Sequence, residues 1–222
     1  MYTFETLDIR GYRDEAIPNT FFRQQDETRH LALLLPGFAY LAQMPVLYYP
    51  GRLLTQRGAD VLRVDYAYHQ RPEFQALPGD ERDRWLHADA AAACRTALAQ
   101  RSYDRLTLVG KSIGTLAMGY LLTGVRGLPR TQCVWLTPLL RSESLLAQIQ
   151  QARPRSLFAI GTADPQYDAA KLAAAEQATG GRSVVIEGAD HSLEVADGVM
   201  ESIRALEQLM LGLHEWLTES QP

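Results

Sequence analysis

Cysteine is scarce in this chain of 222 residues, with only Cys94 and Cys133 present. Both sit in apolar surroundings, and neither belongs to a CxxC pair or a Cys/His metal spacing. A disulfide framework and a structural metal site are therefore excluded, and two buried reduced thiols are expected. Lysine is as rare: Lys111 and Lys171 are the only two among 22 basic residues. Basic charge is not in excess either. The 26 acidic residues give a net charge of −4, so the electrostatic footprint of a nucleic-acid-binding protein is missing. No apolar run reaches the length of a membrane span. The stretch Met1–Arg10 lacks a basic segment followed by an apolar core, so no signal peptide is expected and the cytoplasm is the expected compartment. Low-complexity segments and repeats are missing too. What remains is 46% apolar and 22% charged residues, an ordinary globular composition. The length suits one α/β domain over residues 1–222.

Strand and helix patterns alternate along the chain. Residues 3–10 and 17–24 read as an edge hairpin. His30–Leu35 is continuously apolar, as a strand buried on both faces should be, and Pro36-Gly37 stops it. A helix is expected over 43–57, a strand over 61–65, a loop over 66–79 and an Ala-rich helix over 81–100 with Leu86, Ala90, Ala93 and Ala97 on one face. The strand 106–109 and a helix over 115–122 follow. Further strands are expected at 133–136, 156–160 and 183–186, separated by helices at 142–152 and 167–179. The last helix carries Val199, Ile203, Leu206, Met210, Leu213 and Leu217 at helical spacing, which reads as a single stripe facing the core. Such alternation predicts a mostly parallel sheet of about eight strands with helices on both faces.

The chemistry-bearing motif is Gly110-Lys111-Ser112-Ile113-Gly114. It lies between a strand and a helix, the context in which Gly-x-Ser-x-Gly makes a sharp turn that presents the serine hydroxyl above the sheet. Ligand sites of parallel sheets lie at the carboxyl ends of the strands. The segments found there are Pro36–Tyr40, Tyr66–His69, Lys111–Ile113, Thr137–Leu139, Thr162–Tyr167 and Ala189–Ser192. One nucleophile, one acid and one base thus fall on one edge, in the chain order Ser, Asp, His.

Three segments carry a resemblance: Gly110–Gly114, then Gly161-Thr-Ala-Asp164-Pro, then Gly188-Ala-Asp-His191-Ser. On them the chain resembles the α/β-hydrolase superfamily, from about residue 30 to the C-terminus. It looks most like the small lidless serine hydrolases related to dienelactone hydrolases, with the departure that the nucleophile is Ser112 rather than cysteine. Only a short segment separates Pro138 from Pro154, where this family inserts lids, so no large lid is expected.

The resemblance implies roles that the chemistry requires. A serine hydroxyl needs a neighbouring base, which His191 would provide. A carboxylate must hold the imidazole in the correct tautomer, and Asp164 is the candidate, in competition with Asp168 and Asp190. The backbone N–H groups of Phe38 and Ile113 would stabilise an oxyanion. Among the other histidines, His30, His87 and His214 suit surface or core roles, and His69 lies on the active edge. Tyr40, Tyr66, Tyr68, Leu139 and Tyr167 could line an aromatic substrate pocket. The expected activity is hydrolysis of a carboxylic ester or related small acyl compound, with no cofactor and no metal. A non-catalytic binding protein of the same fold and an acyltransferase are the alternatives. Oligomeric state and the role of Lys111 are not legible.

Overall fold

In a computed structural model the protein is described over residues 1–196 and 198–219. Eight strands form one sheet: β1 (Tyr2–Glu5), β2 (Asn19–Gln24), β3 (His30–Leu35), β4 (Asp60–Val64), β5 (Arg105–Lys111), β6 (Arg130–Leu136), β7 (Arg155–Gly161) and β8 (Arg182–Ile186). Their spatial order is β1-β2-β4-β3-β5-β6-β7-β8. The β1–β2 and β2–β4 pairs are antiparallel, and every other neighbour is parallel. The expected N-terminal hairpin is therefore present, with Tyr2 opposite Gln24, although its first strand is shorter than the alternation suggests.

All six residues of β3 are buried, because helices cover both faces of the parallel strands. On one face lie α1 (Pro45–Gln56) and α7 (Val199–Thr218), packed against each other and against β3, β4, β7 and β8. The other face is covered by α3 (Gly79–Leu98), α4 (Ile113–Gly124), α5 (Glu143–Ala152) and α6 (Ala169–Thr179). Leu86, Ala90, Ala93 and Ala97 of α3 are all buried there. The connection from β6 to β7 contains only α5, so no lid domain stands over that edge. Among the described residues, no helix is long and apolar enough to cross a membrane.

Two expectations need correction. The segment 66–79 is not all loop: it contains a short helical turn at Tyr68–Gln70 and the helix α2 (Pro72–Gln75). The stripe on the last helix does not reach the core along its whole length. The buried residues of α7 are Ala205, Leu209, Leu213 and Trp216, while Val199 is 76% and Ile203 53% exposed. The buried face runs one helical position away from the expected stripe, so that Leu206, Met210 and Leu217 lie partly buried along its flank and only Leu213 belongs to both.

Candidate active site

From β3 the chain runs to β4 on one side of the sheet, and from β4 it crosses back over β3 to β5 on the other. The direction of winding reverses between β3 and β5, which opens a crevice at their carboxyl ends. Gly37 and Phe38 follow β3, and Ser112 follows β5.

Ser112 has φ 53° and ψ −119°, a conformation that costs a non-glycine residue about 1–3 kcal/mol. The surroundings impose it. The Ser112 N–H donates to the Leu136 carbonyl at 3.1 Å, and α4 begins at the next residue. A Cβ on Gly114 would run into the Leu35 carbonyl, and one on Gly110 would meet Met118 and the Gly114 carbonyl. Both glycines of the motif are therefore dictated by close packing between β5, α4 and the end of β3.

The structure brings Ser112, His191 and Asp164 together. The Ser112 hydroxyl lies 2.9 Å from His191 Nε2, and His191 Nδ1 lies 2.8 Å from Asp164 Oδ2. Asp164 has a fully buried side chain. Its other oxygen, Oδ1, accepts from the Gln166 N–H at 2.8 Å, so both carboxylate oxygens are engaged. Asp164 follows β7 and His191 follows β8, and those strands are paired in parallel. Their loops are thus adjacent. The competing acids are occupied elsewhere: Asp168 caps α6 by accepting from the Lys171 N–H, and Asp190 accepts from the N–H groups of Ser192 and Glu194.

The N–H of Ile113 is the first of α4, one of the orphan donors at a helix start. The N–H of Phe38 makes no hydrogen bond within the protein among the described residues. The Phe38 carbonyl is held from the opposite side by the His69 N–H at 3.3 Å and by His69 Nδ1 at 3.2 Å. His69 therefore fixes the backbone of the Phe38 loop. The other histidines are remote. His30 opens β3 at the far end of the sheet, His87 stacks on Tyr120, and His214 lies on α7.

An open cavity of about 340 Å³ lies over Ser112, lined among others by Phe38, Tyr40, Met44, His191 and Ser192. Of the five expected pocket residues only Tyr40 lines it. Tyr66 and Tyr68 are buried in the core instead. The backbone after β4 turns inward at Ala67, φ 47°, and stacks the two rings at 4.8 Å. Tyr68 then lies against Phe74 and Trp85 and donates to Asp89. Leu139 and Tyr167 are half-buried against the core on the α4–α6 side.

Lys111 is the group that the residue pattern left without a role. It is 1% exposed. Its ammonium donates to the main-chain carbonyl of His191 at 2.6 Å and to Thr137 Oγ1 at 3.0 Å, and lies 4.5 Å from the centre of the Tyr40 ring. Burial pulls its pKa down to about 8, partly offset by the charges of Asp164 and Asp190. Burial also pushes the Tyr40 hydroxyl up to about 12, so that ring stays neutral.

No family profile and no curated protein matches this sequence. Solved structures do match in shape, and the chain has the α/β-hydrolase fold. It is similar to a candidate alpha/beta hydrolase from Agrobacterium tumefaciens, at TM-score 0.71 and 16% identity, covering 98% of this chain and 94% of that one. It is likewise similar to the esterase Pf2001 of Pyrococcus furiosus, at TM-score 0.68 and 13% identity over 97% and 90% of the two chains. A third similar structure is Est1E of Butyrivibrio proteoclasticus, bound to ferulic acid, at TM-score 0.67 and 12% identity over 99% and 100%.

Proposed function

We propose that this protein is a serine hydrolase that cleaves small carboxylic esters through an acyl-enzyme on Ser112. The observation that carries the reading is the hydrogen-bonded relay from Ser112 Oγ through His191 to the buried Asp164 carboxylate. The esterase names of similar structures point the same way.

In this reading the Ser112 oxygen attacks the substrate carbonyl while His191 Nε2 takes its proton. The carbonyl oxygen becomes an oxyanion, which the N–H groups of Ile113 and Phe38 receive; each such donor is typically worth about 3 kcal/mol of barrier. Asp164 holds the Nδ1–H tautomer and stabilises the imidazolium. The bond to the alcohol oxygen then breaks, and His191 gives that oxygen its proton. Water repeats the sequence on the acyl-enzyme and releases the acid, restoring Ser112. The open crevice and the short β6–β7 connection support a lidless enzyme with direct access for small substrates, of the kind related to dienelactone hydrolases. No step needs a cofactor.

The test is a fluorophosphonate probe with p-nitrophenyl acetate turnover on the same preparation. Labelling of Ser112 in the wild type and its loss in His191→Ala are expected. A wild-type protein that neither labels nor turns over the ester would instead be a binding protein of this fold. Labelling with a single burst of p-nitrophenol and no sustained turnover, turnover being restored by an added alcohol that leaves as its acetate ester, would mark an acyltransferase.

A further inference from the structure

A second cavity of about 480 Å³ adjoins the one over Ser112. The two share Tyr40 and Ser192 as a common wall. The second is lined largely by apolar side chains, among them Val46, Leu193, Val195, Ile203 and Leu206. Val199 and Ile203 stand more than half exposed at its edge, on the α7 turns that miss the core. Glu194 is the one charged residue lining the trench among the described residues, so an anionic occupant is disfavoured. We propose that this trench binds the alcohol arm of the ester, a neutral aliphatic chain, while the acyl group stays at Ser112.

The inference rests on the hydrolase reading above, and the side of the site decides which arm enters. His191 Nε2 must deliver its proton to the leaving oxygen, so the alcohol departs beside the imidazole. The trench opens at Ser192, the residue after His191, and continues along Leu193–Val195. An alkyl chain attached to the leaving oxygen is thereby led into it. Partial burial of each added methylene is expected to raise kcat/KM about two- to threefold.

The experiment compares alkyl acetates from methyl to hexyl with ethyl esters from acetate to octanoate, following acid release in a pH-stat. A steep rise along the alkyl acetates and a shallow one along the ethyl esters are expected. In Ile203→Glu, the ratio of hexyl to methyl acetate kcat/KM should fall at least tenfold. A flat alkyl series with methyl acetate still turned over overturns the trench assignment and leaves the hydrolase reading standing. A steep acyl series with a flat alkyl series overturns it equally. Failure to turn over any of these esters would instead refute the hydrolase reading.

An independent observation concerns Lys111. Its ammonium joins the end of β5 to Thr137 after β6, to the His191 carbonyl after β8, and to the Tyr40 ring after β3. The geometry points to Lys111 as a positioning residue that holds the His191 loop against the serine turn. The charged groups facing it are Asp164 and Asp190, neither in direct contact. A buried cation without a contacting carboxylate is costly to the fold, so stability alone gives no reason for lysine here. The test is Lys111→Met, of similar length and apolar. Its kcat for p-nitrophenyl acetate should fall 10- to 100-fold with KM within threefold and with Tm unchanged or raised. Wild-type kcat/KM is expected to decline as pH rises through about 8, where the buried ammonium loses its proton, and that decline should be missing from the variant. Lys111→Gln, which keeps a donor, should recover part of kcat. A kcat within threefold of wild type overturns the assignment. So does a loss of activity that comes with a lowered Tm and an unchanged alkaline limb.

Discussion

Replacing Asp164 by Asn tests the proposed relay at its least exposed member. The carboxylate serves two donors, the Gln166 N–H at Oδ1 and His191 Nδ1 at Oδ2, both at 2.8 Å. Asparagine has one oxygen and one NH₂ to offer in their place. If the oxygen stays on Gln166, the NH₂ faces Nδ1, and the imidazole must carry its proton on Nε2. That nitrogen lies 2.9 Å from the Ser112 hydroxyl, and once protonated it cannot take the serine proton. If the amide is turned over, its NH₂ confronts the Gln166 N–H, leaving a buried donor unpaired at a cost of about 1–3 kcal/mol. By itself that cost is about 5- to 160-fold in the population of the competent form, at ~1.4 kcal/mol per tenfold. In either orientation the imidazolium formed during reaction loses its counter-charge. The same replacement in a serine-protease triad lowers kcat about 10⁴-fold. A loss of about 10²- to 10⁴-fold in kcat is therefore expected, measured with p-nitrophenyl acetate on protein whose Tm has been checked. Asp168→Asn and Asp190→Asn should each stay within about tenfold, since an amide oxygen can still accept the backbone N–H bonds they make. Activity of Asp164→Asn within tenfold of wild type, or a crippled Asp168→Asn, would refute the assignment of the acid.

Ser112→Ala should abolish ester turnover with little change in Tm, since Ala is as strained at φ 53° as Ser; equal activity in mutant and wild type would remove Ser112 from the mechanism. Ser112→Gly should be equally inactive yet more stable by about 1 kcal/mol, because glycine adopts that conformation freely, and urea denaturation would show it. His69→Ala, which removes the Nδ1 bond to the Phe38 carbonyl and keeps the backbone one, should lower kcat about three- to tenfold with KM little changed; an unaltered kcat would leave the His69 ring no part in shaping the Phe38 loop. His30 is buried, and burial pulls its pKa down to about 3. The unfolded chain protonates it below about 6.5 while the native state keeps it neutral, so its contribution is full above that pH and is lost as pH falls toward 3. The slope is about 1.4 kcal/mol per pH unit, and His30→Leu should show a flatter stability profile than wild type between pH 6.5 and 4.

The parallel sheet was legible because its strands are buried on both faces. Leu31–Leu35 is apolar throughout and Leu106–Val109 is apolar but for Thr107, whose hydroxyl meets His30 Nε2 at 2.7 Å; Pro36-Gly37 marks where the first run leaves the sheet, and Gly110 pairs within β5 two residues before Ser112. The last helix was harder to read because periodicity reports which residues share a face and not what lies beneath it. The face that meets the core is Ala205, Leu209, Leu213 and Trp216, whereas the stripe through Leu206, Met210 and Leu217 lies along its flank and Val199 and Ile203 are exposed. A small residue such as Ala205 on the buried face gives little signal, so the larger apolar side chains beside it define the stripe in sequence.

The site divides along a similar line. The juxtaposition of Ser112, Asp164 and His191 was legible because each follows a strand, and strand ends can be counted from sequence. The pocket residues were placed by that rule too, and there it fails. Following a strand fixes where the backbone is, but the direction of the side chain depends on the next turn. Tyr66 and Tyr68 follow β4, yet the left-handed backbone at Ala67 folds their rings inward beneath α3. Lys111 shows the converse. It was visible as one of two lysines in the chain, but residue type alone does not reveal what a buried ammonium touches. Its partners are a carbonyl, a hydroxyl and an aromatic ring, none of which leaves a charge pattern in the sequence. A paired carboxylate would have been a visible partner; a main-chain oxygen brought from another strand is not. Scarcity itself was the available signal. Yet scarcity does not discriminate: Lys171, the chain's other lysine, pairs with the exposed Glu143, and only burial and geometry set Lys111 apart.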